Sequence, residues 1–157
     1  RRGIEMAPQC GVGVYKQLYL DTSDIVEDAH AVALDPTARI PKLNFHFVDA
    51  AARDRTFERL ADADVTITRC EVSSIEFTCP GVDKGTGLAS LASKLGLDIS
   101  QAIAVGDADN DLAMLRAAGL GVAMGNAIPA AVEAADVQVD DNDHGGCAEA
   151  VRRYLLA

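Results

Sequence analysis

The chain has 157 residues, and its 14 Lys and Arg stand against 24 Asp and Glu, a formal net charge of −10. That acid excess excludes a phosphate-backbone binder built on clustered Lys and Arg, and a surface that docks on anionic lipid. Hydrophobic residues make up 49%, enough to bury a core, while 4% aromatics and no Trp argue against a platform for stacking bases. The longest uncharged stretch, Ala117 to Val132, holds four Gly or Pro residues and an Asn, so no membrane span is expected. Arg1 and Arg2 are followed by no apolar segment, so no signal peptide is expected. The sequence does not open with Met and reads as a fragment or a processed chain. Cys10, Cys70, Cys79 and Cys147 form no CxxC or Cys/His pattern. They read as reduced, mostly buried thiols of a cytoplasmic protein, with Cys70 and Cys79 able to face each other across a hairpin.

Gly11 to Leu20 fits a strand or a helix, and Pro36 and Pro41 bracket a loop. Residues Lys42 to Val48 alternate, with Leu43, Phe45 and Phe47 on one side and Asn44 and His46 on the other, which predicts a strand with one wet face. Phe57, Leu60 and Ala61 at helical spacing predict a helix over Ala50 to Ala61. Val65 and Ile67, then Ile75 and Phe77, predict two strands, Asp64 to Arg69 and Ser73 to Thr78, paired antiparallel. Residues 1–79 thus read as a small α+β layer. After the Pro80-Gly81 break the pattern changes to strands alternating with helices. Helices are expected at Lys84 to Leu95 (stopped by Gly96), Asn110 to Ala117, Pro129 to Ala134, and over a last stripe of Cys147, Val151 and Leu155. Short apolar strands are expected at Ala102 to Val105, Gly121 to Met124 and Val137 to Val139, with a polar loop at Asp140 to Gly146. Such alternation means a parallel, doubly wound α/β sheet over residues 80–157.

Chemistry concentrates in Gly106-Asp107-Ala108-Asp109-Asn110-Asp111, where a buried strand ends and a helix begins, the edge at which open α/β sheets bind ligands. Three carboxylates this close repel by about 1 to 4 kcal/mol per pair. A hard cation removes that cost, and Mg²⁺ takes one or two carboxylates while sharing phosphate oxygens. Asp107 and Asp111 are the expected ligands; helix capping is the competing reading. An EF-hand loop fails, because Leu112 and Ala118 stand where it needs Gly and Glu. Lys84 opens its helix against the macrodipole, which an anion would justify; a surface Lys beside Asp83 is the alternative. Asn126, after Gly125, lies beyond a strand end on the same edge and also fits an ordinary turn residue.

Three segments carry a resemblance: Pro80-Gly81-Val82-Asp83-Lys84-Gly85, Ala104 to Leu115, and Val122-Ala123-Met124-Gly125-Asn126-Ala127, with Ala135-Asp136 and the tail Asn142-Asp143-His144-Gly145-Gly146. Together they resemble the haloacid dehalogenase superfamily of phosphohydrolases, in the subgroup of Cof-type sugar phosphatases and phosphoglycolate phosphatases with an α/β cap. The resemblance implies a smaller α+β cap at 1–79 and the C-terminal half of a Rossmann-like core at 80–157. It implies Lys84 and Asp107 as catalytic residues, Asp107 and Asp111 as Mg²⁺ ligands, and Lys84, Asn110 and Asn126 at the substrate phosphate. It implies a Mg²⁺-dependent phosphatase of small phosphorylated metabolites working through an aspartyl-phosphate. Two other outcomes stay open, a non-catalytic module with a vestigial phosphate site and a phosphomutase. The family's DxD nucleophile segment is not found: Asp21-Thr22-Ser23-Asp24 has Ser23 where the second Asp belongs, and too few residues separate it from Lys84. The chain alone is therefore expected to be inactive, with an exposed apolar sheet edge inclined to pair, as a homodimer through that edge or the cap. Asn44, His46 and Arg69 are candidates to face the substrate from the cap, and they read more readily as ordinary polar residues on the wet face of a sheet.

Overall fold

A computed structural model describes residues 3–4, 21, 24–70 and 72–156. Two compact units divide the chain, Arg1–Ile67 with Glu71–Cys79, and Thr68–Cys70 with Pro80–Ala157. The expected element at Gly11 to Leu20 and most of Asp21-Thr22-Ser23-Asp24 lie outside the described residues; Asp21 itself is exposed.

In the first part, β1 (Gly3–Ile4) pairs in parallel with β2 (Asp24–Ile25). Helix α1 (Ala29–Leu34) follows, capped by the Asp28 carboxylate, which accepts from the Ala31 N–H at 3.0 Å. The sequence pattern did not single it out, and the helix is only six residues long and buries none of them. Then come β3 (Lys42–His46), α2 (Ala50–Arg59), β4 (Thr66–Cys70) and β5 (Ser74–Thr78). The sheet order is β3-β5-β4. The expected hairpin thus has a third member: β3 pairs antiparallel with β5, setting Leu43 opposite Phe77 and Phe45 opposite Ile75. Phe45 and Phe77 meet edge to face with centroids 5.5 Å apart, a favourable aromatic geometry. Ile75 and Ser74 are fully buried, whereas Leu43 and Phe45 remain exposed.

The second unit alternates. Helix α3 (Lys84–Lys94) leads through a 3₁₀ turn (Ile99–Gln101) to β6 (Ile103–Gly106), and a second 3₁₀ turn (Asp109–Asp111) opens α4 (Leu112–Ala117). Strand β7 (Leu120–Ala123), α5 (Pro129–Ala134), β8 (Val137–Gln138) and α6 (Gly146–Ala150) complete it, the last running into a π-helical turn (Val151–Leu155). The three strands are parallel in the order β6-β7-β8. Alternation along β6 explains why it reads as a continuous apolar run. Ala104 packs with Leu115 and Ala131 in one cluster, while Ile103 and Val105 pack with Val122, Met124, Val139 and Ala150 in another.

Two expectations are corrected. The last helix does not bury Cys147, Val151 and Leu155: Cys147 is exposed, and Val151 and Leu155 are 42% and 65% exposed. Its inward line is Gly146 and Ala150, with Tyr154 half-buried against the same cluster, and Val151 and Leu155 instead border a hollow beside Ile103 and Val105. A bulky residue cannot take the inward place of Gly146, whose Cβ would fall 1.8 Å from the Asp140 carbonyl oxygen. Nor are the thiols mostly buried: Cys79 and Cys147 are exposed and Cys70 is half-buried, all three unbridged. No helix among the described residues is long and apolar enough to cross a membrane.

Candidate active site at the carboxyl edge of the parallel sheet

Because β6, β7 and β8 run the same way, the segments that leave them emerge on one side. Asp107 follows β6, Asn126 follows β7, and the loop 140–145 follows β8. Helix α3 supplies the fourth element. Asp83 caps it, accepting from the Thr86 N–H at 2.7 Å, while Thr86 Oγ1 accepts from the Asp83 N–H at 3.0 Å. This reciprocal box fixes where Lys84 starts the helix.

Asp111 organises the site. It is buried, and Oδ1 takes the Lys84 ammonium at 2.5 Å. Oδ2 accepts from the backbone N–H of Asp107 at 2.9 Å and of Ala108 at 3.2 Å. One carboxylate thus ties the helix carrying Lys84 to the turn carrying Asp107. Burial is the largest influence on its pKa and pushes it up. The Lys84 hydrogen bond, the two N–H donors and the Lys84 charge outweigh that, so the carboxyl is held below its ordinary value of 3.8. Two glycines make room. A Cβ on Gly85 would lie 2.7 Å from the Ala113 carbonyl oxygen, so α3 and α4 meet backbone to backbone; a Cβ on Gly106 would lie 2.4 Å from Cβ of Asp111. Gly85 thus seats one helix on the next.

Asp107 is half-buried, and its Oδ2 accepts from Asn126 Nδ2 at 3.0 Å. The Asp107 carbonyl accepts from the Ile128 N–H at 2.9 Å, which pins the start of α5 to the same turn. Asn126 in turn accepts at Oδ1 from the Asn142 N–H at 3.0 Å. Lys84 is 48% exposed at its side chain, so the ammonium is anchored at one side and open at the other.

Of the residues expected at the site, Lys84, Asp107, Asp111 and Asn126 are joined by this one network. Asn110 shares the 3₁₀ turn, half-buried, but no side-chain hydrogen bond among the described residues ties it to the other four. The expectation paired Asp111 with Asp107 as ligands of one ion, and Asn126 with the substrate. In the structure the Asp111 oxygens meet a lysine and two backbone donors, and Asn126 is placed between Asp107 and Asn142. Sequence reading missed the role of the loop after β8, although its Asp141 and Asn142 carry the side-chain chemistry of turn formation.

The geometry has an anchored cation and an aligned carboxylate on the carboxyl edge of a parallel sheet. The family model of haloacid dehalogenase-like hydrolases matches residues 15–151. The chain belongs to that family. It is similar to a 5-amino-6-(5-phospho-D-ribitylamino)uracil phosphatase of Bacillus subtilis, 38% identical over 116 residues, covering 73% of this chain and 47% of that protein. It is also similar to a phosphoglycolate phosphatase of Methanoculleus marisnigri, 34% identical over 144 residues, covering 92% of this chain and 55% of that one. A solved haloacid dehalogenase-like hydrolase from Bacteroides thetaiotaomicron superposes with a TM-score of 0.70 at 31% identity, over 96% of this chain and 57% of its own. The chain therefore spans about half the length of the curated relatives it matches. Its mixed α/β architecture, with a parallel sheet flanked by helices, is that of these hydrolases.

Proposed function

We propose that this chain carries the lysine and metal-facing part of a phosphatase site for small phosphorylated metabolites, and that residues 1–79 act as its cap. The supporting observation is the double role of Asp111, which holds the Lys84 ammonium with one oxygen and the Asp107 backbone with the other. A phosphate monoester needs positive charge fixed in place as its oxygens gain charge in the transition state, and an anchored ammonium provides that without reorganising.

A Mg²⁺ ion fits this arrangement on its donor chemistry. Asp107 offers a half-buried carboxylate oriented by Asn126, and among the described residues no group of three or more His, Cys, Asp or Glu side chains is placed to hold a metal by itself. Mg²⁺ suits such a partial set, because it takes one or two protein carboxylates and completes its shell with water and substrate oxygens. Asp107 is the ligand we assign; Asp111, occupied by Lys84 and two N–H groups, is the weaker candidate. Bound there, the ion would neutralise charge on the phosphoryl oxygens. Asn110, on the same turn, is the amide we assign to the substrate phosphate. The relatives named as phosphoglycolate and phosphoribitylamino-uracil phosphatases support small phosphorylated metabolites as the substrate class.

No DxD segment stands after a first core strand ahead of the cap residues, and we infer that the chain alone does not turn over. The acidic composition and the unbridged thiols support a cytoplasmic location. No observation supports the homodimer expected from the edge of β6, and we propose none. Two measurements test this reading. Titration calorimetry should show Mg²⁺-dependent uptake of inorganic phosphate that Lys84→Ala and Asp107→Ala abolish, and p-nitrophenyl phosphate with Mg²⁺ should give no turnover. Phosphate uptake indifferent to both substitutions would overturn the site. Turnover lost in Asp107→Ala would show that the nucleophile lies within this chain.

A further inference from the structure

Asp107 is steered by groups that belong to the last loop of the sheet. Asn126 can present either end of its amide to Asp107, and the choice decides whether the contact attracts or repels. The Asn142 N–H settles it: a backbone N–H only donates, so the atom facing it at 3.0 Å is the amide oxygen, and the NH₂ is left to donate to Asp107 Oδ2 at 3.0 Å. What holds the Asn142 N–H in place is Asp141. Its Oδ1 accepts from the Asp143 N–H at 3.0 Å, the His144 N–H at 2.9 Å and, on the ring side, meets His144 Nδ1 at 2.6 Å. Its carbonyl accepts from the Gly146 N–H at 3.0 Å, closing the loop onto the start of α6. The loop is also pressed onto the residue before Asn126. The Gly125 N–H donates to the Asp140 carbonyl at 3.1 Å, and a Cβ at Gly125 would fall 2.7 Å from the Asp141 nitrogen. A short relay therefore runs from Asp141 through the Asn142 N–H and the Asn126 amide to the Asp107 carboxylate.

We propose that Asp141 is a positioning residue: by folding the loop 140–145 it fixes the orientation of the Asn126 amide and so aims the Asp107 carboxylate. The relay reaches Asp107 at its side-chain Oδ2, whereas Asp111 grips the same residue at its backbone N–H and anchors Lys84, so the aim of the carboxylate and the anchoring of the ammonium are set through different atoms of one network. The inference rests on the phosphatase reading only for what Asp107 then does, since the relay itself is a matter of hydrogen bonds within this chain.

The primary test is nuclear magnetic resonance of the full chain, following the Asn126 side-chain NH₂ and the Asn142 backbone N–H. An NH₂ donating to a carboxylate should resonate away from the exposed-amide position and exchange slowly, and the Asn142 N–H should be protected although its residue is exposed. Asp141→Ala should return the Asn126 signals to the exposed-amide position. Asp141→Asn, which keeps an acceptor oxygen, should restore them. Mg²⁺ titration should follow the same order, about tenfold or more weaker in Asp141→Ala and close to the parent in Asp141→Asn, the scale expected when an outer partner of a ligand is lost. If Asp141→Ala leaves the Asn126 signals in place, or Asp141→Asn does no better than Ala, the proposal fails. An unprotected Asn142 N–H in the unmodified chain overturns it without any variant, should Asp141→Ala not fold. If the Asn126 signals respond as expected while the parent binds no Mg²⁺, the relay stands and the phosphatase reading falls.

Discussion

The two three-stranded sheets of this protein are built from the same number of strands and differ in direction, and that difference decides where chemistry can gather. In the sheet β3-β5-β4 the central strand runs against β3, so the segments leaving the two strands emerge at opposite ends. Its Lys42–Glu76 pair, at 2.9 Å, lies at the surface. In β6-β7-β8 every strand points the same way, and three loops arrive at one edge with Asp107, Asn126 and Asp141. There a polar group finds partners from other loops, and one carboxylate can be buried because three donors meet it. Parallel order thus concentrates charge at a single edge, whereas the antiparallel sheet spends its side chains on packing and solvation.

The sharpest way to break this contrast is Asp111→Ala. It leaves the Lys84 ammonium and two N–H groups without their acceptor, and should cost about 3 kcal/mol in chemical denaturation, together with phosphate uptake. Its acid counterpart has a defined sign. A carboxyl held below its ordinary value stabilises the fold at pH above the unfolded-state value and gives that stability up as pH falls through the folded one. The parent should therefore lose stability below about pH 4 more steeply than Asp111→Asn. Next in size is Gly85→Ala, where the new methyl meets the Ala113 carbonyl; about 1 to 3 kcal/mol is expected, read as a lower melting temperature. The smallest effect belongs to the other sheet. Lys42→Ala removes a surface ion pair with the Lys side chain 42% exposed, and should change stability by no more than about 0.5 kcal/mol, less still in high salt. A Lys42 effect as large as that of Asp111 would erase the distinction between the two sheets.

Much of the parallel unit was legible because its signals are local. Pro129 to Ala134 is found with the bounds the sequence suggests, since Pro favours the first helical position. Gly96, at φ +69°, ends α3 where a left-handed residue is needed. The apolar strands needed only their short runs. What escaped depends on contacts between distant segments. Nothing near Asp111 in sequence reveals that its partner is Lys84 rather than a metal ion, because that pairing is set by the approach of α3 to α4 at Gly85. The Asn126 amide is oriented by a backbone N–H sixteen residues away, which leaves no mark on residue type. The tail stripe misled for a similar reason: Val151 and Leu155 have the right period, but the helix is turned by the contact of Gly146 with Asp140.

The shared grip of Asp111 also makes its ion pair non-reversible. A reciprocal exchange, with Asp at 84 and Lys at 111, would keep opposite signs adjacent yet leave the Asp107 and Ala108 N–H groups facing an ammonium that has only protons to offer. Sign alone is therefore no guide to which pairs of residues these two positions can accept: the partner of the lysine must also be an acceptor toward the backbone, and a mutational path between the two arrangements has no viable midpoint or endpoint.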